Sequence, residues 1–132
     1  MLQDILSFEN KVMEKMLDGN VDILCTLRKQ FKMARVESRI FTGVGFYTQY
    51  SIPKEAPIIK EAKSFQLGDV IGEIEGVPGG VGFVLFIKEG AIHLLEAYTY
   101  GEYEWPESIT NYKLSYISGD NRDLDKIRAI LK

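Results

Sequence analysis

Apolar side chains alternate along residues 80–98, and this spacing predicts two β-strands rather than a helix. Glu89 and Gly90 separate the two apolar runs, and glycine supplies the positive φ that a tight hairpin turn needs. The other face of the first strand is also apolar, because Val84 and Phe86 lie there. We therefore expect a central hairpin shielded on both faces. Its first strand has a buried face formed by Val81, Phe83, Leu85 and Ile87.

The position of Glu96 depends on the register of this hairpin. With a two-residue turn, Glu96 lies opposite Phe83. With one extra bulged residue, it lies opposite Gly82, and the sequence leaves both registers open. In either register a carboxylate lies on an otherwise apolar stripe, since Glu96 shares its strand face with Ile92, Leu94 and Tyr98.

Two amphipathic helices are predicted before the first strand. Apolar residues recur at helical spacing over residues 2–17, and again in a segment that ends near Ala34. Asn20 or Asp22 can cap the second helix, because a side-chain oxygen at that position accepts a bond from a free backbone N–H. A helix pair therefore opens the chain.

Short runs of β-branched and aromatic residues predict further strands at 36–41, 44–52, 69–75 and 112–117. Residues 53–68 contain two prolines and predict a loop, either a surface crossover or a flap over a site. Asp120 or Asn121 can cap a C-terminal helix. Residues 1–132 are thus expected to form one α+β domain, with a mainly antiparallel sheet of about six strands, two N-terminal helices and one C-terminal helix.

Composition narrows the function classes. The chain has 132 residues, 45% of them hydrophobic, and a formal charge of −3, which argues against a nucleic-acid surface. One cysteine and one histidine cannot form a His/Cys metal site or an intrachain disulfide. The longest strongly apolar run, 83–87, is too short for a membrane span. We therefore predict a cytoplasmic protein without metal, cofactor, nucleic acid or membrane.

Two residues are candidates for catalysis. A buried Glu96 beside Tyr98 would have a raised pKa and could act as an acid or base. The alternative is that Glu96 only accepts hydrogen bonds from tyrosine hydroxyls and backbone amides. His93 lies in mid-strand, near no serine or cysteine in a nucleophile context, so a structural histidine is favoured over a catalytic one.

The loop at 98–107 is the best candidate for a binding surface, because aromatic residues dominate binding hot spots. Its acidic side chains indicate a basic or polar partner. Alternatively, Trp105 only closes one end of the core before Pro106. The candidate binding residues are Tyr98, Tyr100, Glu102, Tyr103, Glu104 and Trp105.

Several segments together resemble a family of small uncharacterised bacterial proteins. They are Thr-Gly-Val-Gly-Phe-Tyr-Thr at 42–48, Gly-Asp-Val-Ile-Gly-Glu-Ile-Glu-Gly at 68–76, Gly-Phe-Val-Leu-Phe at 82–86, and Leu-Glu-Ala-Tyr-Thr-Tyr-Gly at 95–101 with Trp105-Pro106. The resemblance covers roughly residues 35 to 117. That family often has a glycine where this chain has Ala97. The resemblance implies a cytoplasmic bacterial protein but brings no activity and no catalytic residue.

Three functional hypotheses follow from the sequence. The leading one is a non-enzymatic protein-interaction module, which could neutralise a toxin as immunity proteins do; it is based on size, acidity and the lack of catalytic motifs. The alternative is a small-molecule enzyme that uses Glu96 with a second carboxylate or with His93, in a pocket under residues 53–68. The third is a structural subunit of an oligomer.

Overall fold

The computed structural model describes residues 2–130. In this part of the chain, three α-helices and seven strands confirm the predicted α+β class, with one strand more than expected. The helices are α1 Leu2–Met16, α2 Asp22–Met33 and α3 Leu124–Ala129. The strands are β1 Arg35–Phe41, β2 Gly45–Ser51, β3 Phe65–Leu67, β4 Val70–Ile74, β5 Val81–Lys88, β6 Ala91–Thr99 and β7 Tyr112–Tyr116.

The strands form one antiparallel sheet in the order β1-β2-β6-β5-β4-β7. The short strand β3 pairs with β5 beside residues 85–87, and β4 pairs with β5 beside residues 81–82. β3 and β4 therefore follow one another along the same side of β5. The central hairpin, β5 and β6, lies in the middle of the sheet, as the alternation predicts.

The hairpin has its expected turn but a register that differs from both predictions. Glu89 and Gly90 have φ values of 52° and 83°, as a two-residue turn with two left-handed residues requires. The ladder then shifts, because Ile87 faces Ile92 while Phe86 faces Leu94. His93 is the extra residue of this bulge. Glu96 consequently lies opposite Val84, not Phe83 or Gly82.

The bulge also reverses the alternation along β6. Ile92 lies on the buried face, whereas Leu94, Glu96 and Tyr98 lie on the opposite face. The prediction that Glu96 shares a face with Ile92 is therefore wrong, and Glu96 is not on the core stripe. A bulge of this kind inserts one unpaired residue, so every later side chain changes face.

Helices α1 and α2 pack on the face that carries the buried side chains of β5 and β6. Phe83, Leu85 and Leu95 are fully buried there, and the ring of Phe8 in α1 lies 5.7 Å from that of Phe83. On the opposite face, side chains such as Val84 are only half-buried. The expectation that both faces are shielded is thus wrong, since no described helix covers this second face.

Residues 53–68 are not a simple loop. Their last part forms β3, and the rest is held against the hairpin turn. The Ile59 N–H donates to the Gly90 carbonyl at 2.9 Å, and the Gly90 N–H donates to the Lys63 carbonyl at 2.8 Å. The buried side chain of Gln30 in α2 donates to the carbonyls of Pro57 and Gly90. These bonds fix the segment in place, which favours a crossover over a mobile flap.

The predicted helix caps are wrong. Val21, without a side-chain bond, occupies the N-cap position of α2, instead of Asn20 or Asp22. The N-cap of α3 is Asp123, whose carboxylate accepts a bond from the Lys126 N–H. Several residues near each helix start have suitable side chains, so the sequence pattern did not identify the one that caps.

Candidate functional site

Glu96 lies at the centre of the uncovered sheet face. Its neighbours across the strands are Tyr47 of β2 and Val84 of β5. Along β6 it is flanked by Leu94 and Tyr98 on the same face. These side chains, together with Phe86, are half-buried, and they form what we call the tyrosine face: Tyr47, Val84, Phe86, Leu94, Glu96 and Tyr98.

The carboxylate of Glu96 and the hydroxyl of Tyr47 interact directly. Hydrogen bonding to Glu96, followed by the charge of this carboxylate, raises the pKa of Tyr47 above its usual value. Tyr47 therefore stays protonated beside the Glu96 carboxylate. A neutral phenol adds no positive charge to the site, so the face can still attract a cation.

Tyr98 and Tyr100 extend the tyrosine face toward one end of the sheet. Their rings meet edge to face with centroids 5.6 Å apart. Both hydroxyls lie over Gly82, where a Cβ would come within 2.7 Å of the Tyr98 oxygen and 2.8 Å of the Tyr100 oxygen. The absence of a side chain at Gly82 thus makes room for this tyrosine pair.

The loop that follows β6 presents its charged side chains to solvent. Tyr100 and Tyr103 are 39% and 47% exposed, and Glu102, Glu104 and Glu107 are exposed as well. None of these three carboxylates forms an ion pair within residues 2–130. Glu107 lines a cleft with Ile5 of α1, on the helix side of the sheet. Glu102 and Glu104, which follow Tyr100 in the chain, form what we call the acidic rim.

Trp105 does not share this surface. Its ring packs edge to face against Phe46 at 5.3 Å and against Phe8 at 6.0 Å, on the helix side of the sheet. Its backbone N–H donates to the carbonyl of Gly43 at 2.8 Å. Of the two predicted roles, the structure supports the closing of the core, so the six predicted binding residues are divided between two sides of the sheet.

The candidate catalytic residues lie outside the clefts that indent the helix side and the edges of the sheet. Among the clefts in the described part of the chain are five of about 370 to 550 Å³, and neither Glu96 nor His93 lines any of these five. His93 is the half-buried extra residue of the β6 bulge. An open sheet face gives a carboxylate no enclosed volume in which to hold a small substrate away from water.

A buried ionic cluster between α1 and the sheet was missed by the sequence interpretation. Glu9 is only 1% exposed, and its two oxygens accept bonds from Arg39 at 2.8 and 3.1 Å. The Thr48 hydroxyl also donates to this carboxylate, at 2.5 Å. The helical spacing could have revealed this cluster. Glu9 is four residues from Ile5 and so lies on the apolar face of α1, where a buried carboxylate needs a partner.

Tyr50 lies beside this cluster with its hydroxyl buried. Burial, and then the nearby negative charge of Glu9, raise the pKa of Tyr50 far above its usual value. The hydroxyl has no hydrogen-bond partner in the described part of the chain. The Glu9–Arg39 pair is already neutral, and both Glu9 oxygens accept bonds from Arg39, so we interpret this cluster as a structural tie between α1 and β1.

Arg122 forms a second tie that the sequence interpretation missed. Its guanidinium makes two bonds to the Asp69 carboxylate, both at 2.8 Å, and others to the carbonyls of Met16 and Asp18 at the end of α1. Cations near a helix C-terminus are favourable because the free carbonyls there carry partial negative charge. No pattern along the chain links these four positions.

Residues 2–130 contain no group of three or more His, Cys, Asp or Glu residues that could hold a metal ion. Each helix in that range is too short or too polar to cross a bilayer. No protein-family model, no curated protein and no solved structure matches this chain.

Proposed function

We propose that the chain is a cytoplasmic, non-enzymatic protein-binding module that docks a basic segment of its partner on the tyrosine face. The observation that carries this proposal is the position of Glu96. Its carboxylate lies on an open sheet face between Tyr47 and Val84, and it lines none of the five clefts described above. That placement suits contact with another protein better than containment of a small molecule.

The composition of the tyrosine face supports docking. Tyrosine rings offer a large contact area with few rotatable bonds, so holding them in a complex costs little entropy. Val84, Phe86 and Leu94 provide apolar area around the single carboxylate. A partner therefore gains most from an aliphatic stem that ends in a cation, which is what lysine and arginine present.

Charge complementarity favours a basic partner over an acidic or neutral one. The acidic rim adds Glu102 and Glu104 shortly after Tyr100, and the whole chain has a formal charge of −3. Such a rim steers a basic segment toward the face and raises the association rate at low salt. A toxin with a basic active surface is one partner of this kind. By covering that surface the chain would neutralise the toxin, so we include this role in the proposal.

The proposal is tested with labelled peptides. A fluorescein-labelled peptide in which lysines alternate with leucines is titrated with the protein, and its lysine-to-glutamate counterpart serves as the charge control. We expect the basic peptide to bind and the acidic one not to bind. Glu96→Gln should weaken binding at least tenfold, since a charged hydrogen bond contributes about 1.5–3 kcal/mol.

The matched control variant is Glu55→Gln, which removes an exposed carboxylate from the loop before β3. It should leave the affinity within about twofold, because charges beyond a Debye length of about 8 Å are largely screened. Equal binding of the two peptides, or equal affinity of Glu96→Gln and the unmodified protein, would contradict the proposal.

A further inference from the structure

β1 is an edge strand with exposed apolar side chains. It pairs with β2 on one side, and no described strand pairs with its other side. Ile40 is 60% exposed and Phe41 is 56% exposed. Unpaired edges of this kind are open to pairing with another chain, so proteins normally protect them with charges, prolines or bulges.

The protection of β1 covers only its first half. A bulge interrupts the ladder between Val36 and Ser38, and Arg35 and Glu37 add charges there. The second half, residues 39–42, has no bulge and no proline. The charge of Arg39 in this half is already neutralised by Glu9, which leaves the stretch without a free charge.

The backbone groups of this second half point outward. The Thr42 N–H donates to the Gly45 carbonyl at 3.0 Å, so this pair is hydrogen-bonded across the hairpin of β1 and β2. Hydrogen-bonded and non-hydrogen-bonded pairs alternate in antiparallel ladders. Ile40 is therefore bonded to β2, whereas the N–H and C=O groups of Arg39 and Phe41 face away from it.

We propose that β1 pairs with β1 of a second copy of this chain, antiparallel, about a two-fold axis at Ile40. In this register Arg39 exchanges backbone bonds with Phe41 of the second copy, and Phe41 exchanges them with Arg39 of the second copy. Ile40 then lies directly opposite its own copy in a non-hydrogen-bonded pair, where Cβ atoms are about 4.5–5.5 Å apart. Ile40, the most exposed apolar side chain of β1, is then covered by the Ile40 side chain of the second copy.

A second copy fits this edge better than a foreign strand does. The outward groups of Arg39 and Phe41 are related by the two-fold axis, so the segment is complementary to itself. The bulge after Val36 limits pairing to a stretch of about the length that this register uses. The segment has no free charge with which to select a charged partner.

The pairing has a structural consequence for the tyrosine face. The two-fold axis of the proposed dimer is perpendicular to the sheet, so neither sheet is turned over relative to the other. The two tyrosine faces would therefore lie side by side on the same face of one continuous sheet. Ile40 belongs to the row that continues through Tyr47 to Glu96. The dimer is nevertheless independent of the proposed function, because peptide binding and self-association can fail separately.

The register is tested by cross-linking. Ile40→Cys is made in a Cys25→Ser background, which removes the only natural thiol. A disulfide needs Cα atoms about 4.4–6.8 Å apart, a spacing that opposed residues in a non-hydrogen-bonded pair satisfy. With a glutathione redox buffer, we expect a disulfide-linked dimer. Ile117→Cys in the same background is the control, since Ile117 is 67% exposed and lies just after the opposite edge strand.

The affinity is tested by light scattering on a size-exclusion column and by sedimentation. Small interfaces are weak, so the protein is measured up to about 1 mM. We expect a monomer–dimer equilibrium, at least tenfold weaker in Ile40→Lys and unchanged in Ile117→Lys. A monomer at every concentration, a dimer that persists in Ile40→Lys, or equal cross-linking of the two cysteine variants would each overturn the proposal. Circular dichroism verifies that every variant is folded.

Discussion

The Glu96 carboxylate of β6 lies across the strand pair from Tyr47 of β2 and raises the pKa of Tyr47, first as a hydrogen-bond acceptor for the phenol and then through its negative charge. Tyr47 and Glu96 are the polar centre of the tyrosine face, whose other members are aromatic or aliphatic. The face has no covering helix in the described part of the chain. Its position makes it the surface on which a partner can dock.

Glu96→Gln should lower the pKa of Tyr47 toward its usual value of about 10, because an amide keeps an acceptor but loses the negative charge. The tyrosine ring resonances of the protein, followed by NMR between pH 8 and pH 12, measure this change. Glu73→Gln, at an exposed position of β4, is the control. An unchanged titration of Tyr47 in Glu96→Gln would contradict the assigned contact.

Gly82→Ala should displace the hydroxyl ends of Tyr98 and Tyr100 and weaken peptide binding, with only a small loss of stability, since both side chains can swing toward solvent. Gly45→Ala is the matched comparison. Its added Cβ would overlap the backbone carbonyl of Ala97, which cannot move without breaking the β2–β6 ladder. We expect that variant to unfold at a much lower urea concentration.

The reverse order of the two glycine effects would contradict this description of the face. Urea unfolding followed by circular dichroism gives the stabilities, and the peptide titration gives the binding.

The buried pair of Glu9 and Arg39 predicts strongly non-additive mutations. Arg39→Met leaves the Glu9 carboxylate buried without a partner and should cost about 3–5 kcal/mol of unfolding free energy. Glu9→Met combined with Arg39→Met removes both charges and should recover most of that loss. Urea unfolding of the two single variants and the double variant completes the cycle. Additive losses would show that the pair is not coupled.

Tyr50 predicts a loss of stability in alkali. Burial and the charge of Glu9 keep its hydroxyl protonated in the folded state at pH values where the unfolded chain ionises. The unfolded state then binds fewer protons, so stability falls as pH rises above about 10, by up to about 1.4 kcal/mol per pH unit. Tyr50→Phe should show a shallower fall.

At neutral pH, Tyr50→Phe should be as stable as the unmodified protein or more stable by up to about 1 kcal/mol, because it removes a buried hydroxyl that has no partner. Thermal unfolding at pH 7 and pH 11 compares the two proteins. A parallel fall in both would assign the alkaline effect to other tyrosines, such as Tyr116, whose pKa burial also raises.

Most elements of the fold could be predicted because their patterns are local. The alternation in β5 and the helical stripes of α1 and α2 repeat over many residues, so a single exception does not hide them. The short strand β3 could not be predicted, because it consists of three residues whose partner is β5, far along the chain. Only that pairing makes Phe65–Leu67 a strand.

The candidate site was predicted only in part, and the bulge at His93 explains much of the difference. Nothing in the sequence around His93 marks an extra residue, yet it moves Glu96 from the predicted core stripe to the open face. Tyr98 and Tyr100 belong to the predicted segment and do lie at this face. Trp105 belongs to the same segment, but its packing against Phe8 depends on a contact between distant parts of the chain.

NMR chemical-shift mapping with the lysine–leucine peptide shows whether the tyrosine face is the docking surface. We expect shifts confined to the tyrosine face and the acidic rim, above all at Tyr47, Glu96, Tyr98 and Tyr100, and none with the glutamate counterpart. Shifts confined to the helix side of the sheet, or identical shifts with both peptides, would contradict this expectation.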